Sequence, residues 1–345
     1  MSEKIGIAVV GTGDWGANLV RNFASLPGAR LVALCDSDPQ RLAATAAKYP
    51  GVRACPTLED VADHPDVHAV VVSASAPQHY PIARRLLEAG KDVYVEKPLT
   101  LTVEHAEELV ELARRNHRIL MVGHLLLFHP GVRYLRNLVE KGELGELYYI
   151  YSQRVNLGKV RKDENALWSF APHDISVILH LLDMEPVDVA ARGSAFLQGN
   201  VEDVVFVDLK FPGGKMAHVH VSWLDPHKLR RVTVVGSQKM VVFDDMEASE
   251  KIRIYDKGVD RAGEVLSYGD SLTVRSGDIL IPKISLQEPL RLECQHFVDC
   301  VRDRKTPLTD GLDGLRVVKV LAAAQASLEQ GGAPVALAAP RAVTS

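Results

Sequence analysis

The sequence predicts an α/β protein: a doubly wound parallel sheet in the N-terminal half, then a second domain dominated by antiparallel strands. Three observations predict it. Short apolar runs alternate with helical patterns over roughly the first third of the chain, as βαβ units do. Gly11-Thr12-Gly13-Asp14-Trp15-Gly16 stands between the first run and the first helical pattern. Beyond Gly123, β-branched and aromatic runs follow one another with few helices between them.

Taken in order, Ile5–Val10 reads as a buried strand leading into the glycine turn, and residues 31–35 read as the next strand, ending at Asp36. Residues 39–49 are Ala-rich and helical, and 68–73 form a short apolar run of the buried parallel type. Residues 79–89 read as a helix stopped by Gly90, 92–95 as a strand, 103–116 as an amphipathic helix and 118–122 as the closing strand. In the second half, a helix is expected over 132–141, a long strand over Leu147–Val155 and a helical stretch over 174–182. Strands follow at 187–196, 204–211, 215–223, 231–235 and 240–243, with Gly213-Gly214 turning one hairpin. Residues 253–284 are polar and weakly periodic, so loops and short strands are expected there. Helices over 290–302 and 312–329 precede an Ala/Pro-rich tail. The resulting division is 1–123, dinucleotide binding; 124–287, a second, mostly antiparallel domain; 288–330, terminal helices; and 331–345, a tail expected to be partly ordered at best.

The glycine turn carries the first chemistry. Gly11 permits the tight turn, Gly13 lets the backbone approach a pyrophosphate, and Gly16 allows close packing of helix on strand. Thr12, Asp14 and Trp15 complete the turn, and the helix N-terminus offers unpaired N–H groups to phosphate. Asp36, at the end of the second strand, is suited to the adenosine ribose hydroxyls and repels a 2′-phosphate, so NAD is expected rather than NADP.

Composition narrows the partners. A net charge of −4 gives no reason to expect nucleic acid or an anionic membrane surface. No apolar stretch reaches membrane-spanning length, and because Met-Ser-Glu-Lys leads straight into the first strand, no signal peptide is expected. Cys35, Cys55, Cys294 and Cys300 lack metal-type spacing, so buried reduced thiols in a cytoplasmic protein without a metal are expected. His218 and His220 share one strand face and read as a polar sheet surface or subunit contact.

Glu96-Lys97-Pro98 closes a strand at the carboxyl edge, where open α/β sheets place their ligands. Together with the glycine turn, Ser75-Ala76-Pro77-Gln78-His79, a helix start at Pro172-His173-Asp174, the Glu293-Cys294-Gln295-His296-Phe297 helix and Pro307-Leu308-Thr309-Asp310-Gly311, it resembles the glucose–fructose oxidoreductase/inositol dehydrogenase/MocA family. The resemblance runs through nearly the whole chain in family order. It implies a Rossmann domain, then an α+β domain with a large, mostly antiparallel open sheet that mediates homodimers or homotetramers, and terminal helices that pack back near the Rossmann domain. It also implies a nicotinamide cofactor and a sugar or polyol hydroxyl as the reacting group. Lys97 then lies near that hydroxyl and His173 acts as acid/base, while Ser75, Pro77, His79, Glu96 and Lys97 itself join the turn residues and Asp36 around the cofactor. The chemistry is coherent: as hydride leaves a carbinol carbon, the O–H proton needs a base tuned near neutral pH. One departure stands out. Ser169 occupies the position four residues before His173 where the family usually has Asp, and a hydroxyl orients an imidazole more weakly than a carboxylate.

For the substrate, His124 follows the last parallel strand, with His129 and Tyr134 nearby. Arg154, Asn156, Lys159, Arg161 and Lys162 form the most basic stretch of the chain, and Trp168 completes the candidate set. Cations near a cleft mouth suit a diphosphate. A nucleotide-activated sugar such as a UDP-N-acetylhexosamine is therefore the expected substrate. A free sugar or inositol is the alternative, and a non-catalytic dinucleotide-binding regulator is a reading of another class.

Overall fold

The computed structural model describes residues 4–158, 160–162, 164–261 and 272–337. Along the chain run β1 (Ile5–Val10), α1 (Asp14–Ser25), β2 (Ala29–Cys35), α2 (Pro39–Ala46), β3 (Arg53–Cys55), α3 (Leu58–Ala62), β4 (Ala69–Val72), α4 (Ala76–Glu88), β5 (Asp92–Glu96), α5 (Val103–Arg115) and β6 (Leu120–Gly123). There follow α6 (Pro130–Glu140), β7 (Leu147–Val155), α7 (Ala166–Leu182), β8 (Asp188–Ser194), β9 (Val204–Lys210), β10 (Met216–Ser222), β11 (Leu229–Gly236), β12 (Met240–Asp244), β13 (Ile252–Arg261) and β14 (Leu272–Leu280). Helices α8 (Pro289–Asp303) and α9 (Gly311–Glu329) and the short β15 (Val335–Ala336) end it. The chain divides into two units: Met1–Phe128 with Gln287–Lys319, and His129–Leu286 with Val320–Ser345. Helix α9 is thus shared between them.

The first unit is a parallel six-stranded sheet in the order β3-β2-β1-β4-β5-β6. Alternate residues of each strand feed two opposite layers, as the pleat requires. Ala8, Val10, Val70, Val72, Val93 and Val95 pack with Leu86 and Leu87 of α4 and Leu109 of α5. Ile7, Val9, Val71 and Tyr94 pack on the other side with Phe23 of α1 and Phe297 of α8. Both faces are covered, which is why these strands read as unbroken apolar runs. Glycine is required at the turn: Gly11 has a φ of +92°, and a Cβ on Gly16 would meet the Gly11 carbonyl oxygen at 2.0 Å.

The second unit holds a nine-stranded sheet in the order β14-β13-β12-β11-β7-β10-β9-β8-β15. Among the described residues, only β7 and β10 pair in parallel, and the other neighbours in this sheet are antiparallel. Helix α7 packs on β7, β9 and β10. Gly213 and Gly214, at φ of +72° and +79°, turn the β9–β10 hairpin as expected.

Two expectations need correction. Of residues 253–284, 253–261 and 272–280 form the antiparallel ribbon β13–β14, and 262–271 lie outside the described residues. From 273 to 280 nearly every residue is exposed, so backbone pairing rather than an apolar face makes the strand and no alternation marks it. Likewise, Pro172 does not start a helix. Asn165 caps α7 through its side chain, and Pro172 lies inside the helix. A proline there removes one backbone bond, and burial of the helix against the sheet outweighs that loss.

Candidate functional site

At the carboxyl edge of the parallel sheet, β1 delivers the glycine turn, β2 Asp36, β4 Ser75, β5 Glu96 and Lys97, and β6 His124. Gly13 is the N-cap of α1 and no side chain caps the helix, which leaves its first N–H groups to an anion. A Cβ on Gly13 would meet nothing within 4 Å, so the approach is open. Asp36 is 6% exposed and already organised. Its Oδ2 accepts the Thr12 amide at 2.7 Å and the Thr12 hydroxyl at 2.9 Å, and its Oδ1 accepts the Asp38 amide at 2.9 Å. Burial alone would raise its pKa. The two amides, the hydroxyl and Arg41 outweigh burial and hold the carboxyl below its usual range. These groups fit a dinucleotide laid across the sheet edge. Ser75 and Pro77 are exposed at the start of α4.

His79 departs from expectation. It is 1% exposed, with Nδ1 2.7 Å from the Pro98 carbonyl oxygen and Nε2 3.0 Å from that of Ala74. Both nitrogens are engaged in tying the end of β4 to the end of β5, so the ring presents no surface to a cofactor. His124 is also buried, at 1% exposure, and among the described residues neither ring nitrogen has a hydrogen-bond partner. Burial, aided by the Lys97 charge, lowers its pKa to about 3, which keeps it neutral. Its Nε2 lies 4.0 Å from Asp313 Oδ2. Lys97 itself is half-buried.

Beneath Lys97 lies a cluster that sequence reasoning did not assign. Glu96 Oε1 accepts the Trp15 indole N–H at 2.6 Å and the Tyr94 hydroxyl at 3.1 Å. Glu293 of α8 is fully buried beside the same tyrosine. Burial, with the nearby Glu96 charge, pushes Glu293 well above the carboxyl range; burial also raises Glu96, against the pull of Trp15, Lys97 and Tyr94. Burial thus favours the protonated form of both acids, and of Glu293 the more strongly. The available signal was one acid among the apolar positions Leu290, Cys294, Phe297 and Val298 of one helix face.

In the second unit, His173 lies in the interior of α7, half-buried, and Ser169 is one turn earlier on the same face. Asp174, turned away by one residue, points at the sheet. There Arg154 of β7 donates from Nε to Asp174 Oδ2 at 2.6 Å, and the two are 7% and 0% exposed. Burial raises the Asp174 pKa while Arg154 opposes it. This corrects the expected role of Arg154: its guanidinium is sealed in an internal ion pair, so it is no surface cation for a phosphate. Arg161 is exposed but paired with Glu164 at 3.0 Å. Lys162 is exposed, Asn156 half-buried, and Lys159 lies outside the described residues. The Trp168 indole donates to Gln325 at 3.2 Å. His129 caps α6 by accepting the Gly131 amide at 3.0 Å, which makes it structural. His218 pairs with Asp208 and His220 stacks on Phe206, on the open sheet face.

Comparison with known proteins agrees with this architecture. Residues 5–124 match the oxidoreductase family with an NAD-binding Rossmann fold, and residues 132–242 match the GFO/IDH/MocA C-terminal domain. The chain is 24% identical to UDP-N-acetylglucosamine 3-dehydrogenase of Acidithiobacillus ferrooxidans, over 90% of this chain and 93% of that protein. It is 25% identical to scyllo-inositol 2-dehydrogenase (NAD(+)) of Bacillus subtilis, over 100% of this chain and 99% of that protein. GenD2 from gentamicin A biosynthesis, solved in complex with NAD, superposes with a TM-score of 0.83 at 25% identity, covering 98% of each chain.

Proposed function

The chain belongs to the GFO/IDH/MocA family of NAD-binding oxidoreductases, and from that premise we propose that it is an NAD-dependent dehydrogenase acting on a ring hydroxyl of a sugar. The observation that carries the proposal is Glu96-Lys97-Pro98 at the end of β5, on the same sheet edge as the uncapped α1 N-terminus and the pre-organised Asp36. NAD supplies the hydride acceptor when bound. Asp36 holds the adenosine end and the α1 amides the pyrophosphate. Lys97 takes part in moving the hydroxyl proton, and His173 serves as its acid/base partner.

For the substrate, our first reading is a nucleotide-activated sugar such as a UDP-N-acetylhexosamine. It is supported by the exposed Arg161 and Lys162 on the β7–α7 connection and by similarity to the UDP-N-acetylglucosamine enzyme. Burial of Arg154 removes one cation from that argument and favours the second reading, a free sugar or inositol. Mixing the protein and NAD⁺ with a panel of free, UDP-linked and dTDP-linked sugars, and following NADH absorbance, separates the two. Turnover of a UDP-sugar, with a raised KM in Arg161→Ala, supports the first. Turnover of inositol or free sugars alone supports the second, and no turnover of any CH–OH substrate removes both.

We further propose a homodimer or homotetramer through the open face of the second sheet, where Tyr149, Tyr151, Phe206 and Met216 are exposed. Light scattering of wild type and a Tyr151→Glu/Phe206→Glu variant tests it; an unchanged mass would exclude that face. Four buried free cysteines suit a reducing cytoplasm. Among the described residues, no helix is long and apolar enough to cross a membrane.

A further inference from the structure

Trp15 is the second residue of α1, so its own amide is among those facing the expected pyrophosphate. Its side chain reaches elsewhere. The indole N–H donates to Glu96 at the end of β5, and in the sheet β5 is separated from β1 by β4. The indole therefore extends from the glycine turn toward β5. Asp36 marks the opposite direction, since β2 flanks β1 on the other side. A dinucleotide whose adenosine ribose meets Asp36 must send its nicotinamide half toward β4 and β5. Trp15 lies on that path. Trp15 remains 42% exposed, although its indole N–H is bound to Glu96, a residue only 8% exposed. An aromatic face is thus left open at the sheet edge with its orientation held from below.

The anchor is itself built in. Gly123 on β6 makes room for it: a Cβ there would meet the Tyr94 hydroxyl at 2.7 Å and Glu96 Oε2 at 2.8 Å. The Tyr94 hydroxyl shares Glu96 Oε1 with the indole. Glu96 precedes Lys97, so one side chain links the tryptophan beside the glycine turn to the strand end that carries the lysine.

We propose that the Trp15 indole forms one wall of the nicotinamide half of the cofactor site, with Glu96 as the positioning residue that holds it there. The wall contributes to NAD affinity through ring contact and gives the binding event an optical signature. Neither effect involves the adenosine half.

The test compares NAD⁺ with ADP-ribose, which keeps the adenosine and pyrophosphate but lacks the nicotinamide. Binding to the full chain is followed by calorimetry and by tryptophan emission. NAD⁺ is expected to quench wild-type emission more than ADP-ribose does. That difference disappears in Trp15→Phe, where Trp168 and Trp223 supply the background. Glu96→Ala, with the indole released, is expected to lose about 3–10-fold in NAD⁺ affinity, the worth of an aromatic contact, while its ADP-ribose affinity is unchanged. Glu96→Gln keeps an acceptor oxygen and should retain wild-type discrimination. Equal quenching by the two ligands, or equal weakening of both in Glu96→Ala, would overturn the proposal by assigning the indole to the pyrophosphate. Should Glu96→Ala not fold, the quenching comparison in wild type and Trp15→Phe decides. Failure of wild type to bind either ligand would overturn dinucleotide binding itself, and the proposal with it.

Discussion

Glu96 with Glu293 in the first unit, and Arg154 with Asp174 in the second, are both pairs of ionisable groups sealed from water, yet they solve the problem of burial in opposite ways. The second pair cancels its own charge, with the Arg154 Nε 2.6 Å from Asp174. The first sets two acids near each other: burial favours their protonated forms, Glu293 above all, and Trp15 and Tyr94 donate to Glu96. Asp36 shows a third solution: two backbone amides and a hydroxyl, aided by Arg41, stabilise a buried carboxylate. The difference teaches where each region is vulnerable. The attracting pair fails when one partner is removed, whereas the repelling pair fails when its proton is lost.

The largest expected effect lies beside the first pair rather than in it. Lys97→Ala should lower turnover by about 10²–10⁴-fold, the range for a lost proton-transfer group. NAD affinity and the urea midpoint should change little, because Lys97 is half-buried and the grip on the dinucleotide lies elsewhere. Near-normal turnover would remove Lys97 from the chemistry.

Next in size, Asp174→Ala should destabilise the protein by about 3–5 kcal/mol, since it strands a guanidinium in the interior. Urea denaturation measures this. A cost below about 1 kcal/mol would mean that water reaches Arg154 and that the pair behaves like a surface ion pair.

The amide-held carboxylate predicts cofactor choice. Like charges about 4 Å apart cost up to roughly 4 kcal/mol at an effective dielectric of about 20, so a 2′-phosphate beside Asp36 should be strongly disfavoured. Arg41, 3.4 Å from Asp36, offsets part of this. NADP should bind at least about tenfold more weakly than NAD in a calorimetric titration, a difference of about 1.4 kcal/mol. Asp36→Asn should narrow the gap, and equal binding by wild type would contradict the reading.

The smallest effect at neutral pH belongs to Glu293→Gln, which replaces a protonated acid by a neutral isostere and should alter stability by about 0.5 kcal/mol or less. Its value is in the pH dependence. Glu293 has its pKa raised well above the ordinary 4.5 in the fold. Its stabilising contribution is therefore complete below the unfolded value and is lost as pH rises from there through the folded value. Wild type should lose stability over that range more steeply than Glu293→Gln, measured as urea midpoints across pH. Parallel curves would show that Glu293 is not the proton holder.

Much of the first unit was legible because its constraints are local. The glycine turn, the apolar strands on both sides of it and Asp36 follow from spacing within a few dozen residues, and the sheet order places them as expected. The second unit was less legible. Strand β14 is exposed along nearly all its described length, and α7 continues through Pro172 because its burial outweighs a local stop signal. His79 was legible as a motif residue, but its direction was not: the ring turns inward to two carbonyls instead of outward.

What the sequence by itself determined was the kind of protein: a dinucleotide turn with its acidic partner, a βαβ half and an antiparallel half, and Lys97 at a strand end. Backbone conformation and hydrophobic period are set by neighbours along the chain, so residue order suffices for them. Only the tertiary structure decided that Arg154 is spent on Asp174, that Glu293 of a late helix is buried beside Tyr94 within reach of the Glu96 charge, and that the Trp15 indole is bound to the end of β5. The state of a charged group depends on which distant side chain excludes water from it and which one pairs with it. Those partners come together only when the strands and helices pack.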